Sequence, residues 1–143
     1  MKTFFAIILA LFSQIVMADT IGLHIGSWHS ESGYNNKNPG LYYKQDNGFT
    51  VGAYCNSESR SERFKTASSC EISSYVGVTK EVAVTENLSV GATAFLVHGY
   101  KRATIIPAIA ATALVANHLR VMVIPPVKGY TPMVVSFGVE TKF

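Results

Sequence analysis

Beyond its first 18 residues, the sequence lacks any apolar run long enough to form a helix across a membrane. Such a helix needs about 20 apolar residues in succession, whereas the longest later run, IIPAIAATALVA at 105–116, is much shorter. Charge is also scarce, because only 15% of the residues are charged while 48% are hydrophobic. This balance is rich in apolar residues for a secreted soluble domain and predicts a β-structure with two apolar-bearing surfaces.

Several signatures of chemistry are absent as well. The sequence has no glycine-rich phosphate loop with a lysine, no Cys-x-x-Cys pair and no His-x-x-x-His spacing. We therefore predict neither a metal site nor a bound cofactor. The basic residues are scattered over separate segments, which argues against a nucleic-acid partner.

The first 18 residues predict a secretory signal peptide. Lys2 precedes the apolar segment 4–12, and Ala18 ends a Val-Met-Ala triplet typical of a cleavage site. A retained anchor helix is the alternative. The mature chain, residues 19–143, has the length of one domain.

The mature chain has only two cysteines, Cys55 and Cys70. Export favours oxidation, so a disulfide is expected, with two free thiols as the alternative. The bond would close a loop of about 15 residues and contribute roughly 3 kcal/mol in the chain-entropy model.

The dominant pattern is alternation of apolar and other residues with period two, which is typical of β-strands. The alternating segments are about 20–29, 40–46, 48–57, 71–80, 87–98, 104–115, 118–125 and 132–143. Eight strands of this length in an exported chain predict an all-β, eight-stranded antiparallel up-and-down transmembrane β-barrel in the cell outer membrane. The alternative is a soluble barrel of lipocalin type, whose apolar face would point inward.

Short and long connections alternate along these segments. The short ones are QDNG at 45–48, TEN at 85–87 and ANH at 116–118. Because short turns of such barrels lie on the periplasmic side, the longer connections are predicted to lie outside. His29 and Ser57, at the ends of strands one and three, should therefore meet at the outer rim.

Strand parity also predicts the contents of the barrel interior. The inward residues are Gly22, Gly26, Trp28, Gly52, Tyr54, Tyr75, Gly77, Gly91, Thr93, Phe95 and Gly138. This lumen is either a slot for an apolar chain or a packed interior in which glycine relieves crowding beneath aromatic rings. Four further inward residues, His24, Arg120, Glu140 and Lys142, predict a polar plug towards the periplasmic end.

An ordered set of motifs resembles one known family. The motifs are WHS at 28–30, YNNKNPGLYY at 34–43, YCNSES at 54–59, the glycine-rich then Ile-Pro segment 88–114, VMVIPPVKGYTP at 121–132 and a terminal Phe. Together they resemble the lipid A palmitoyltransferases, the PagP family, thinly over most of the mature chain. The resemblance implies transfer of an acyl chain from a phospholipid to lipid A or lipopolysaccharide, by a monomer in the outer membrane.

The resemblance also implies site residues. His29 corresponds to the family histidine and Ser57 to its serine, whereas Asn56 stands where the family has an aspartate. Pro107 and Pro125 correspond to prolines near places where family barrels lose bonding between strands, which resembles a lateral path for lipid. The family also has an amphipathic helix before strand one, for which this sequence leaves no room.

Acyl transfer needs a base, a stabiliser of the developing oxyanion and a slot for the acyl chain. His29 is the candidate base and Ser57 the candidate oxyanion donor or nucleophile. Asn56 could orient the imidazole or donate a hydrogen bond, but it cannot hold a negative charge, and Glu31 or Glu58 could substitute for the carboxylate. His98, also at the outer end of a strand, is a weaker candidate. The alternatives are that His29 is a rim histidine bonded to a loop, and that the chain is a non-catalytic barrel with a structural, lipid-binding or surface-masking role.

Overall fold

The computed structural model describes residues 20–58, 70–101, 103–128 and 131–143, and the predicted signal peptide lies outside them. The strands are β1 (Thr20–His29), β2 (Gly40–Lys44), β3 (Phe49–Cys55), β4 (Ile72–Thr85), β5 (Leu88–His98), β6 (Ile105–Val115), β7 (Leu119–Ile124) and β8 (Val134–Lys142). Among the described residues there is no helix of the length and apolarity needed to cross a membrane.

The eight strands form one closed antiparallel barrel in sequence order, with β8 paired to β1. The prediction of an all-β, eight-stranded antiparallel up-and-down barrel is thereby confirmed. Because β8 pairs with β1, the sheet has no terminal edge strand.

Short connections lie at one end of the barrel and long connections lie at the other. The turns that follow β2, β4 and β6 are short and share one end, whereas the longer loops that follow β1, β3, β5 and β7 share the other end. We call the second end the loop end. The ends of β1 and β3 therefore meet at the loop end, as the alternation of connections predicted.

Most of the exposed side chains on the barrel wall are apolar, and most of the buried side chains of the strands are polar. The large apolar side chains exposed on the barrel wall include Ile21, Leu23, Leu41, Phe49, Val51, Val76, Val78, Val90, Leu96, Ile109, Leu119, Val123, Phe137 and Val139. The buried polar side chains of the strands include Thr20, His24, Lys44, Thr50, Thr79, Thr93, Thr112, Arg120 and Glu140. This distribution is the reverse of that in a soluble protein, in which the interior is apolar.

A β-bulge in β1 shows that the predicted inward orientation of Gly26 and Trp28 was wrong. The pairing of β1 with β8 shifts between His24 and Gly26, so that Ile25 is an extra residue. One added residue moves every later side chain to the opposite face. Gly26 and Trp28 therefore lie on the outward face, with Trp28 48% exposed, whereas His29 is buried.

Glycines on the inward face make room for aromatic rings on the neighbouring strand. Gly22 lies directly opposite Tyr42, and a Cβ at position 22 would lie 1.9 Å from the Tyr42 ring. Gly52 lies opposite Tyr75 in the same way, where a Cβ would lie 2.6 Å from the ring. The packed-interior interpretation of the glycines therefore holds at these positions.

A buried cluster of four charged residues, which we call the charge cluster, fills the interior near the short turns. Glu140 accepts hydrogen bonds from Arg120 Nε at 2.9 Å and Nη2 at 2.7 Å, and from Lys44 Nζ at 3.2 Å. Glu81 pairs with Arg120 and with Lys44. Two cations and two anions thus neutralise each other in the barrel interior.

The charge cluster differs in membership from the predicted plug. Arg120 and Glu140 belong to it, as predicted, together with Lys44 and Glu81. His24 instead pairs with the Tyr75 hydroxyl at 2.8 Å, away from the charges. Lys142 is the last residue of β8, where it pairs with Thr20 and is exposed.

The turn between β2 and β3 depends on Gly48. Its φ is 90°, and a Cβ there would lie 2.0 Å from the backbone oxygen of Thr79. Gly48→Ala is expected to destabilise the barrel by about 1 to 3 kcal/mol, the usual cost of such backbone strain. Urea unfolding, followed by heat-modifiable gel migration, measures the loss. Asp46→Ala in the same turn is the control, and equal stability of the two variants would contradict the strain.

Candidate active site

His29 and Ser57 line one interior cavity, which extends from the loop end of the barrel to Lys44 and Arg120 of the charge cluster. His29 is the last residue of β1, and Ser57 follows β3 by two residues. The cavity has a volume of about 170 Å³, and both side chains are buried against its wall. The two residues that the sequence singled out therefore share one chamber.

The His29 ring is held on two sides by the loop that follows β1. Its Nδ1 lies 2.9 Å from the side-chain oxygen Oδ1 of Asn36. The Tyr34 ring stacks on the imidazole, with ring centroids 4.9 Å apart and planes inclined by 11°. The imidazole thus has a fixed position and a fixed orientation within the cavity wall.

Ser57 is held by two other segments of the loop end. Its side chain hydrogen-bonds the phenol of Tyr100, whose oxygen lies 2.9 Å from the hydroxyl oxygen of Tyr54. Its backbone oxygen accepts from the backbone N–H of Asn35 at 3.0 Å. Burial raises the pKa of Tyr100, so its phenol stays protonated at neutral pH.

Asn56 lies beside Ser57 but contacts backbone rather than the cavity. Its side chain is fully buried, and its Nδ2 donates to the Gly99 oxygen at 3.1 Å. Its Oδ1 accepts from the backbone N–H of Glu58 at 3.1 Å. Asn56 therefore fastens the end of β3 to the loop after β5, and it is not among the residues that line the cavity.

The remaining candidates, Glu58, Glu31 and His98, differ in whether they line the cavity. Glu58 lines the cavity and accepts from the backbone N–H of Lys101 at 3.1 Å. Glu31 is exposed and does not line the cavity. His98 is exposed on the outside of β5. Of the two candidate carboxylates, only Glu58 therefore shares the cavity wall with His29 and Ser57.

The loop that carries Ser57 is fastened at its base. Cys55 and Cys70 lie within disulfide distance, with Cα atoms 5.1 Å apart, as the sequence predicted. Lys101 forms an ion pair with Glu71 at 2.9 Å, and this carboxylate raises the pKa of Lys101. The two ends of this loop are therefore tied to each other and to the loop that follows β5.

The barrel wall beside the cavity has an unpaired stretch. β6 pairs with β7 only through Ala111–Val115, so within the described residues its half towards the loop end, Ile105–Ala110, pairs with β5 alone. Pro107 lies in this half, and Pro125 directly follows β7. A proline lacks the N–H needed for ladder bonding, which is consistent with the short pairing.

Apolar side chains from both sides of this unpaired stretch reach the cavity. Ile106 and Ala108 line it from β6, while Met122 and Ile124 line it from β7. The cavity is therefore flanked by an apolar wall where bonding between strands is incomplete. Hydrocarbon fits this part of the wall better than a polar solute does, because a polar solute would lose its hydrogen bonds to water there.

A comparison with protein-family models matches none of them, and a comparison with curated proteins finds no significant match. The assignment of function therefore depends on the site itself. The sequence interpretation missed Tyr34, Asn36 and Tyr100, which hold the pair in place. Their signal is weak, because polar and aromatic residues in loops have no periodicity from which contacts can be read.

Proposed function

We propose that this chain is an outer-membrane acyltransferase that moves an acyl chain from a phospholipid to lipid A. The observation that carries the proposal is the placement of His29 and Ser57 on the wall of one cavity at the loop end. A base and a hydroxyl donor at the mouth of a partly apolar chamber are what transfer of a lipid acyl group requires.

The membrane location is supported by the two faces of the barrel. Its outward face is largely apolar, and its interior contains the charge cluster. In a lipid bilayer this is the favourable arrangement, because the outward side chains meet hydrocarbon while the closed barrel satisfies the backbone. A lipocalin-type barrel would need the opposite distribution.

In the proposed reaction, a lipid A hydroxyl attacks the ester carbonyl of the phospholipid. His29 accepts the proton of that hydroxyl as the new C–O bond forms, and Ser57 donates a hydrogen bond to the resulting oxyanion. The intermediate collapses by breaking the original ester bond. His29 returns its proton to the departing lysophospholipid oxygen, so the enzyme ends the cycle unchanged.

The unpaired stretch between β6 and β7 supports a lipid donor. This stretch gives a phospholipid in the surrounding bilayer a lateral path to the cavity, because the ladder between β6 and β7 is incomplete there. The resemblance to the PagP family points to the same chemistry, and it agrees with the eight-stranded fold. Lipid A is the acceptor that the resemblance implies.

A non-catalytic barrel is the second candidate, and the surroundings of Asn56 favour it. The family position that holds a carboxylate holds here an amide whose two ends bind backbone. A barrel with these contacts would bind lipid or shape the cell surface without transferring an acyl group.

Mass spectrometry of lipid A separates the two candidates. Cells of a Gram-negative host that express the full chain are expected to contain lipid A heavier by one acyl group, and His29→Ala should abolish this species. His98→Ala is the matched control, because it removes an exposed histidine from the outer wall. Unchanged lipid A in the presence of folded, membrane-associated protein would favour the non-catalytic barrel.

A further inference from the structure

The loop segment Tyr34–Asn36 contacts both members of the proposed catalytic pair. Tyr34 stacks on the His29 ring, and the Asn36 side chain faces His29 Nδ1. Between them, the backbone N–H of Asn35 donates to the Ser57 oxygen. Three consecutive residues therefore connect the end of β1 with the end of β3.

Asn36 is itself held against β1. Its backbone oxygen accepts from the Ser27 N–H at 2.9 Å, at a level where β1 no longer pairs with β2. Gly26 makes this approach possible, because a Cβ there would lie 2.7 Å from the same oxygen. The loop thus takes the place of β2 beside this half of β1.

The next turn of the loop is held on both sides as well. Ser27 donates its hydroxyl hydrogen to the Asn38 side-chain oxygen, and Asn38 Nδ2 donates to the Cys55 oxygen at 2.9 Å. Asn38 is buried. The position of the Asn36 amide relative to His29 is therefore set by contacts with β1 and with the end of β3.

These contacts determine which imidazole nitrogen carries the proton. An amide oxygen can only accept a hydrogen bond, so the nitrogen that faces it must be the N–H. In neutral His29 the proton then lies on Nδ1, and Nε2 has the free lone pair. A general base needs this lone pair, and the second ring nitrogen is commonly bound to a group that fixes the tautomer.

We propose that Asn36 is a positioning residue that fixes His29 in the Nδ1–H tautomer and so makes Nε2 the basic nitrogen. This inference rests on the proposed function for its effect on catalysis, but the tautomer itself is a property of the folded chain. Asn36 thus orients the His29 imidazole, a role for which the sequence analysis had proposed Asn56, Glu31 or Glu58.

Nitrogen-15 NMR of the histidines in the refolded full chain tests the tautomer directly. The chain has four histidines, and the spectrum of His29→Ala identifies the signals of His29. In the wild-type chain at a pH where the ring is neutral, Nδ1 is expected to be the protonated nitrogen. Asn36→Ala should shift the population towards Nε2–H, the form that a free imidazole prefers.

Two further variants make the test specific. Asn36→Asp retains an acceptor at the same place, so it should keep the Nδ1–H tautomer and most of the activity. Asn87→Ala, in an exposed turn at the other end of the barrel, should change neither. Acyl transfer by Asn36→Ala should fall by about tenfold to a hundredfold, a part of what general base catalysis contributes.

The outcomes separate this inference from the proposed function. An Nε2–H tautomer in the wild-type chain, or a tautomer unchanged in Asn36→Ala, would overturn the role of Asn36. The expected tautomers in a protein without acyl transfer would instead overturn the proposed function and leave the positioning of His29 standing.

Discussion

Replacing Glu140 by Gln is expected to lower the free energy of unfolding by about 3 to 5 kcal/mol. The Glu140 side chain is 1% exposed and accepts hydrogen bonds from Arg120, Lys44 and the Tyr42 hydroxyl, the last at 2.6 Å. Gln has the same shape but lacks the charge, and its NH₂ group is a donor placed among donors. Arg120 and Lys44 would then share the single carboxylate of Glu81 in a site that water barely reaches.

Urea titration of the barrel in lipid vesicles measures this loss. Trp28 is the only tryptophan, and its position on the outer wall makes its fluorescence a reporter of the surroundings of that wall, which unfolding changes. Glu86→Gln is the control, because it removes an exposed carboxylate from the turn after β4. A Glu140→Gln barrel as stable as the control would mean that the charge cluster is dispensable for folding.

The barrel could be predicted from the sequence because alternation directly encodes a sheet with two different faces. A strand of period two needs no partner to be recognised, and the short turns fix which strands are neighbours. The bulge at Ile25 could not be predicted, since residues Leu23 and Ile25 continue the alternation across it. Only pairing with β8 reveals the extra residue.

The charge cluster was predicted only in part for a related reason. β4 extends to Thr85, five residues past its predicted end, and the extension carries Glu81 into the interior. Lys44 lies at the end of β2, within the predicted strand 40–46, but the predicted plug did not include it. Their contacts join residues far apart in the chain, such as Lys44 and Glu140, and no local pattern records them.

The candidate site also contains residues that could be predicted from the strand pattern and residues that could not. His29 and Ser57 could be placed together, because both end strands whose loops share one end of the barrel. Asn36 and Tyr100 could not, because they belong to loops whose paths depend on particular hydrogen bonds and on the space left by Gly26. Strand register therefore predicts where a site lies, whereas loop contacts decide which groups orient its residues.

Ser57→Ala is expected to lower kcat for acyl transfer by about 10²- to 10³-fold with little change in KM, the effect of losing one oxyanion donor. The variant should fold, because Ala keeps the backbone oxygen that accepts from Asn35 and leaves Tyr100 bonded to Tyr54. Transfer of a labelled acyl chain from phospholipid to lipid A in mixed micelles gives both constants. Ser74→Ala, on the exposed face of β4, is the matched control.

The rate of acyl transfer that remains in Ser57→Ala distinguishes an oxyanion donor from a nucleophile. A donor assists a reaction that His29 can still drive, so Ser57→Ala should retain measurable transfer and the wild-type chain should never carry the acyl group itself. A nucleophile is indispensable, and its loss would reduce the rate to that without enzyme. An acyl adduct on Ser57 in the intact mass of the wild-type chain would therefore contradict direct transfer and replace it with a two-step route through the serine.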